Sequence, residues 1–298
     1  PPNRLPPPVL FKLRLLKPMS NPSIGIYEKA LPDLPDWPSR LAAAAEAGYD
    51  FVEIPVDETE EKLARLDWTT TEKAALRSAV TDTGVDIGTV ILSAHRKFPL
   101  GSASVETREK ALDLFKKAVD LAVDLNASTI QLAGYFVYYE KHDEYSKDRF
   151  MNGLSHGLDW ATPAGIMLGL ETMDGEDITS VSTALEIVQK INSPILKLYP
   201  DVGNLIGNGF DVSKELKLGK GQLIGIHLKD ARPGQYRRVP FGTGDVPFVD
   251  VFRTLSDIEY DGNFLIEMWN DSAPDSMETI TNARAWIVDK MLAAGYFV

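Results

Sequence analysis

The chain of 298 residues contains no cysteine. That removes disulfides, cysteine-ligated zinc, iron–sulfur clusters and thiol nucleophiles from consideration. Histidine is scarce as well, with four in all. Positive charge is in deficit: 31 Lys and Arg stand against 43 Asp and Glu, a net charge of −12. So acidic a chain is a poor partner for a nucleic-acid backbone. No run approaches the roughly 20 apolar residues of a membrane-spanning helix, so no membrane partner is expected. What is present is 44% apolar and 25% charged, the composition of a globular enzyme or binding protein with a sizeable core. The expected compartment is the cytoplasm.

Residues 1–18 stand apart from the rest. They hold six of the 19 prolines and four basic residues (Arg4, Lys12, Arg14, Lys17) but no acid, so the remaining 280 residues carry −16. Proline at that density defeats both helix and sheet ladder, and the apolar run and cleavage site of a signal peptide are missing. The expectation is a disordered or non-native leader over 1–18, ahead of Met19, and a single catalytic domain over 19–298.

From there strand and helix signals alternate. Short apolar runs at 23–27, 50–54, 85–92, 128–132, 166–171, 196–199, 223–228 and 263–268 read as strands. Amphipathic segments at 37–47, 60–83 (broken near Asp67), 105–125, 145–161, 181–191, 212–218, 248–256 and 277–294 read as helices. Continuously apolar strand cores fit parallel strands covered by helices. Eight βα units in this length predict an α/β fold of the (β/α)8 TIM-barrel type. A doubly wound sheet is the competitor, but SIGIYEKALP after the first strand lacks the glycine-rich phosphate turn.

In a barrel, side chains at the C-terminal ends of the strands converge on one site. Read in order, those ends give Glu171, Asp201, His227 and Glu267, after LGLE, KLYPD, IGIH and FLIE. Three carboxylates and an imidazole are a hard donor set suited to one divalent ion such as Mn, Mg, Co or Zn. Without a cation, carboxylates so close together would repel. The same periodicity marks Glu53, Ser93, His95, Arg96, Gln131 and Lys229 as substrate-binding candidates. Basic loop residues in so acidic a chain favour an anionic group, with Arg96, Arg232, Arg237 and Arg238 as the candidates. His142 and His156 read as structural or exposed.

The segments GIYEKALP, FVEIPVDET, LSAHRKFPLGS, TIQLAGYFVYYE, YPDVGN, IHLKD, RRVPFGTG and FLIEMW resemble the L-ribulose-5-phosphate 3-epimerase family, in the xylose-isomerase-like TIM-barrel superfamily. The likeness spans 19–298. It implies a metal-dependent barrel with Glu171, Asp201, His227 and Glu267 as ligands, acting on a small ketose phosphate. It also implies interconversion of L-ribulose 5-phosphate and L-xylulose 5-phosphate. Relatives acting on free ketoses carry a sugar-contacting His three residues after the metal Asp, where this chain has Asn204. A homodimer is carried as an option for assembly.

Inverting C3 of a ketose requires a proton to leave one face and return on the other, through an enediolate. Glu171 and Glu267 are the expected acid and base, and Asp201 and His227 the plain ligands. Three alternatives stay open: an aldose–ketose isomerase, a free-ketose 3-epimerase, and a non-catalytic barrel that only binds a sugar phosphate.

Overall fold

The computed structural model describes residues 22–296, so the leader expected at 1–18 lies outside the described residues. Eight strands form a parallel sheet: β1 (Ile24–Tyr27), β2 (Phe51–Val56), β3 (Asp86–Leu92), β4 (Thr129–Ala133), β5 (Met167–Glu171), β6 (Leu196–Tyr199), β7 (Gly225–Leu228) and β10 (Asn263–Ile266). Their spatial order runs β6-β5-β4-β3-β2-β1-β10-β7. The two ends meet through parallel bridges between Leu198 and Leu223 and between Asp201 and His227, which close the barrel. The wall of helices comprises α1 (Trp37–Glu46), α2 (Glu60–Leu63), α3 (Thr70–Thr83), α4 (Val105–Leu125), α5 (Ser146–Ala164), α6 (Val181–Ile191), α7 (Val202–Gly207), α8 (Val212–Leu218), α9 (Phe248–Asp257) and α10 (Ser276–Ala294). Among the described residues no helix is long and apolar enough to cross a membrane.

Local sequence sets these boundaries. Thr69 and Glu72 form a reciprocal capping box at the start of α3, and Gly84 ends it at φ 72°. Ser104 caps α4, whose Ala111, Leu114, Phe115, Ala118, Ala122 and Leu125 share one buried stripe. Three features depart from the sequence reading. Pro163 lies inside α5 rather than after it. In the last turn it forfeits one backbone bond, at the exposed end of the helix. A short helix, α7, follows Asp201, where VGNLIG is too brief to show a helical period. The expected loop after Lys229 contains an antiparallel hairpin, β8 (Asp230–Arg232) with β9 (Gln235–Val239). Pro233 and Gly234, the latter at φ 75°, supply the type II turn between them.

Two aromatic rings fill the barrel below its mouth. Phe51 occupies space left by Gly25 and Gly88, where a Cβ would strike its ring. Tyr199 likewise fills the space beside Gly169 and Gly225. The β2–β3 register shifts between Val52 and Glu53, so Gly88 has no partner across the ladder. Glu53 thereby stands above Phe51 in the barrel interior, fully buried.

Candidate active site

Glu171 ends β5, Asp201 follows β6, His227 lies within β7 and Glu267 follows β10. The bridge between Asp201 and His227 sets two of them side by side. One donor atom from each of the four can be chosen so that all lie within 4.8 Å of one another. Glu171, Asp201 and His227 are buried and Glu267 is half-buried. His227 Nδ1 is 2.9 Å from Glu171 Oε1 and 3.8 Å from Glu267 Oε2. Lys229 Nζ reaches Asp201 Oδ2 at 2.6 Å and Glu267 Oε2 at 2.9 Å.

Each group is held by the chain around it. Asp201 caps α7: its Oδ1 accepts from the backbone N–H groups of Gly203 (2.7 Å) and Asn204 (3.0 Å). Its Oδ2 is buried and has no aligned hydrogen-bond donor, only the ion-pair contact to Lys229. Gln131 donates its amide N–H to Glu171 Oε2. On the far side of the imidazole, His227 Nε2 lies 3.1 Å from Glu53 Oε2, and Tyr199 donates its hydroxyl to Glu53 Oε1.

The charges are strongly coupled. Burial lifts the Asp201 carboxyl to about 8, with Glu267 and Glu171 pushing the same way against Lys229. Burial also raises Glu171, against the pull of His227. Burial would raise Glu267 too, but Lys229 and His227 outweigh it and bring it down to about 2. His227 is held well above its ordinary value, because Glu171 and Glu53 overcome the opposing effect of burial. This donor set fits a divalent cation. Its three carboxylates converge where only a positive charge makes their closeness favourable, and a buried Asp201 oxygen lacks an aligned donor.

A cavity of about 340 Å³ opens over this cluster. Of the candidates named from the sequence, Ser93, Arg96, Lys229, Arg237 and Arg238 line it. His95, Glu53 and Gln131 lie off its wall. Ser93–Arg96 is a 3-10 turn, in which residues three apart share a face. Ser93 and Arg96 therefore face the cavity, while His95 turns outward, its Nε2 3.1 Å from the Ala111 carbonyl and its ring edge-on to Phe115. Glu53 and Gln131 project inward one layer deeper, where they hold His227 and Glu171 instead of lining the space. Arg232 points elsewhere, donating to the Thr243 carbonyl. His142 pairs with Asp177 at 3.4 Å, and His156 stacks on Trp160.

Sequence reasoning missed Tyr27, Asp57, Met173 and Trp269 as cavity residues. Trp269 stands edge-on to Tyr27, with rings 6.1 Å apart, and lies 5.8 Å from Lys229 Nζ. It sits two residues beyond Glu267, in register with a side chain already marked as inward-facing, and that was the available signal. Asp174 and Tyr199 were missed too, each a polar group that acts through a neighbour.

A family model described as the xylose isomerase-like TIM barrel matches residues 41–290. The chain is 47% identical over 284 residues to SgbU of Escherichia coli, provisionally named an L-ribulose-5-phosphate 3-epimerase, covering 93% of this chain and 99% of that one. It is 44% identical over 272 residues to L-ribulose-5-phosphate 3-epimerase UlaE of Salmonella heidelberg, covering 91% and 96%. A crystal structure of D-psicose 3-epimerase determined with D-fructose superimposes with a TM-score of 0.78 at 18% identity, over 92% of this chain and all of that one.

Proposed function

The chain belongs to the xylose isomerase-like TIM-barrel family, among the L-ribulose-5-phosphate 3-epimerases, and from that premise we propose that it interconverts L-ribulose 5-phosphate and L-xylulose 5-phosphate by inverting C3. It is an isomerase of the epimerase class. The observation that carries the reading is the convergence of Glu171 and Glu267, from opposite sides of the closing strands β6 and β7, on one cavity beside Asp201 and His227.

C3 of a ketose is acidic because the neighbouring carbonyl can take up charge as an enediolate. A divalent ion held by Glu171, Asp201, His227 and Glu267 supplies Lewis-acid stabilisation of that charge. The rest falls to side chains of the chain. One of Glu171 and Glu267 removes the C3 proton from one face, the other returns a proton to the opposite face, and the roles exchange with direction. Gln131, bonded to Glu171, and Lys229, bonded to Glu267, hold the two carboxylates in place. Trp269 and Tyr27, packed edge-on, supply the apolar part of the wall around the sugar.

The test is proton NMR of L-ribulose 5-phosphate in D2O with diamagnetic Mg2+ or Zn2+, with and without EDTA. Expected is appearance of L-xylulose 5-phosphate with deuterium at C3, abolished by EDTA. An aldose product, with exchange between C1 and C2, would replace the epimerase reading with an isomerase. No exchange at any carbon would leave a binding barrel.

A further inference from the structure

We propose that Asn208 and Tyr236 form a clasp that positions Arg237 over the catalytic cavity; this rests on the reading above that the cavity takes a ketose phosphate. Arg237 reaches the cavity wall from β9, the second strand of the β8–β9 hairpin. Its ion-pair partner is Asp174, in the loop after β5, at 3.1 Å. The Arg237 side chain is 41% exposed, and an ion pair so open to solvent fixes a guanidinium only weakly. The fixing comes instead from the residues next to each partner.

Asn208 grips both sides of that pair. Its Nδ2 donates to the carbonyls of Met173 (2.8 Å) and Thr179 (3.0 Å), on either side of Asp174 in the β5 loop. Its Oδ1 accepts from the Tyr236 hydroxyl at 2.9 Å, one residue before Arg237. Both amide hydrogens and the amide oxygen are thus engaged, so the side chain has one orientation that keeps its bonds. The Asn208 backbone N–H donates to the Asn204 carbonyl and closes α7, whose other end is capped by Asp201. The hairpin, the β5 loop and Asp201 therefore share one short helix as their reference.

The hairpin is seated as well as tied. Gly234 donates its N–H to the Gly207 carbonyl at 2.9 Å. The Tyr236 ring packs so close to Gly207 that a Cβ there would come within 2.4 Å of it. At the hairpin's base, Asp230 Oδ2 accepts from the N–H groups of Gly242 (2.9 Å) and Gly244 (2.8 Å). Between these anchors the Arg237 Cζ stands 5.9 Å from the ring of Trp269, and Asp174 is itself held by the Tyr135 hydroxyl. Arg237 is thereby set between Asp174 and Trp269, with donors left over for the oxygens of a bound sugar.

The test compares Asn208→Ala, which removes all three side-chain bonds, with Tyr236→Phe, which removes one and keeps the ring on Gly207. Each is made alone and together with Arg237→Met, in the metal-loaded full chain. The kinetic readout is KM against kcat for L-ribulose 5-phosphate. Expected for Tyr236→Phe is a rise in KM of about 3–10-fold, the scale of one hydrogen bond, with kcat within about twofold. Asn208→Ala is expected to raise KM further. With Arg237→Met already present, neither substitution should raise KM by more than about twofold, because the group they position is gone. A merely structural loss would add in full on both backgrounds. Hydrogen exchange followed by mass spectrometry gives a readout that needs no reaction. Tyr236→Phe should speed exchange across 234–239 alone, and Asn208→Ala across both 234–239 and 173–179. Unchanged KM in both variants or in Arg237→Met, full additivity with Arg237→Met, or a fall in kcat at constant KM overturns the clasp. If the unmodified chain leaves C3 untouched, the reaction reading falls and the exchange pattern decides: unchanged exchange in both segments overturns the clasp, and the expected pattern sustains it.

Discussion

Glu53 Oε2 stands 3.1 Å from His227 Nε2, on the face of the imidazole turned away from Glu171 and Glu267. A carboxylate can only accept there, so Nε2 keeps its proton, and Nδ1 is the ring nitrogen that would meet a cation held by Glu171, Asp201 and Glu267. Tyr199, wedged between Gly169 and Gly225, fixes the carboxylate from the other side of the barrel. Glu53→Gln is expected to fold and to lose about 10–100-fold in Mn2+ affinity, the usual size of such an effect. Tyr199→Phe is expected to lose less. Mn2+ titration by electron paramagnetic resonance measures both, with Asp201→Asn as the control that should abolish binding. Affinity within twofold of the unmodified chain in Glu53→Gln would remove this role.

Glu171→Gln and Glu267→Gln are each expected to fold and to lose epimerisation by about 10²–10⁴-fold, the contribution of a positioned acid or base. Two bases on two faces make a sharper prediction. Each variant should keep slow C3 proton exchange from only one epimer, and the two variants should differ in which one. Exchange with D2O, started separately from L-ribulose 5-phosphate and L-xylulose 5-phosphate, reads this out. Equal loss from both epimers in both variants points to a single base.

These residues differ in how far the sequence reveals them. Glu171, Asp201, His227 and Glu267 were legible because each ends an apolar run, and a closed parallel barrel leaves such side chains only one place to converge. Depth along the strand was not legible. In β2 the inward positions include both Glu53 and, beyond the strand, Asp57, and only Asp57 reaches the cavity. Nor was the pitch of the turn after β3 legible: read as a plain loop, SAHR offers three candidates, whereas its 3-10 geometry turns Ser93 and Arg96 to the cavity and His95 away from it. The β8–β9 hairpin was signalled only by Pro233 and Gly234, since its strands are too polar and short to stand out.

His95 gives a pH prediction. Burial holds its imidazole down, to about 4, against a weak opposing bond to the Ala111 carbonyl. It is neutral in the folded protein while the unfolded chain takes up its proton near 6.5. Below that point the unfolded state binds more protons, so stability falls from about pH 6.5 to about pH 4 and is then flat in this residue. The full effect is about 3 kcal/mol. His95→Leu is expected to flatten that limb in urea denaturation curves taken between pH 7 and pH 4. A limb of unchanged slope would show that other groups set the acid sensitivity.

Glu28 comes directly after the first strand, one position beyond where Glu171 stands in the fifth, and is tied into a buried ion cluster outside the catalytic set. Arg65 binds it through both terminal nitrogens, Arg40 reaches it at 3.0 Å and Lys62 at 3.3 Å. Arg65 also lies over the rings of Trp37 and Trp68 and donates to the Pro55 carbonyl. Burial would raise the Glu28 carboxyl, but the Arg65 bonds and the other cations bring it below its usual value. Removing the anion and removing one cation should not cost the same. Glu28→Ala strands a buried guanidinium among apolar rings and is expected to cost about 3–5 kcal/mol. Arg65→Met keeps Glu28 paired with Arg40 and Lys62 and replaces the stacked stem with an apolar one, so its cost should be smaller. The double variant should be more stable than the sum of the two losses allows, because the stranded charge is gone. Urea midpoints of the four proteins settle this; equal costs for the two single variants, with strict additivity, would mean the cluster is screened by water rather than buried.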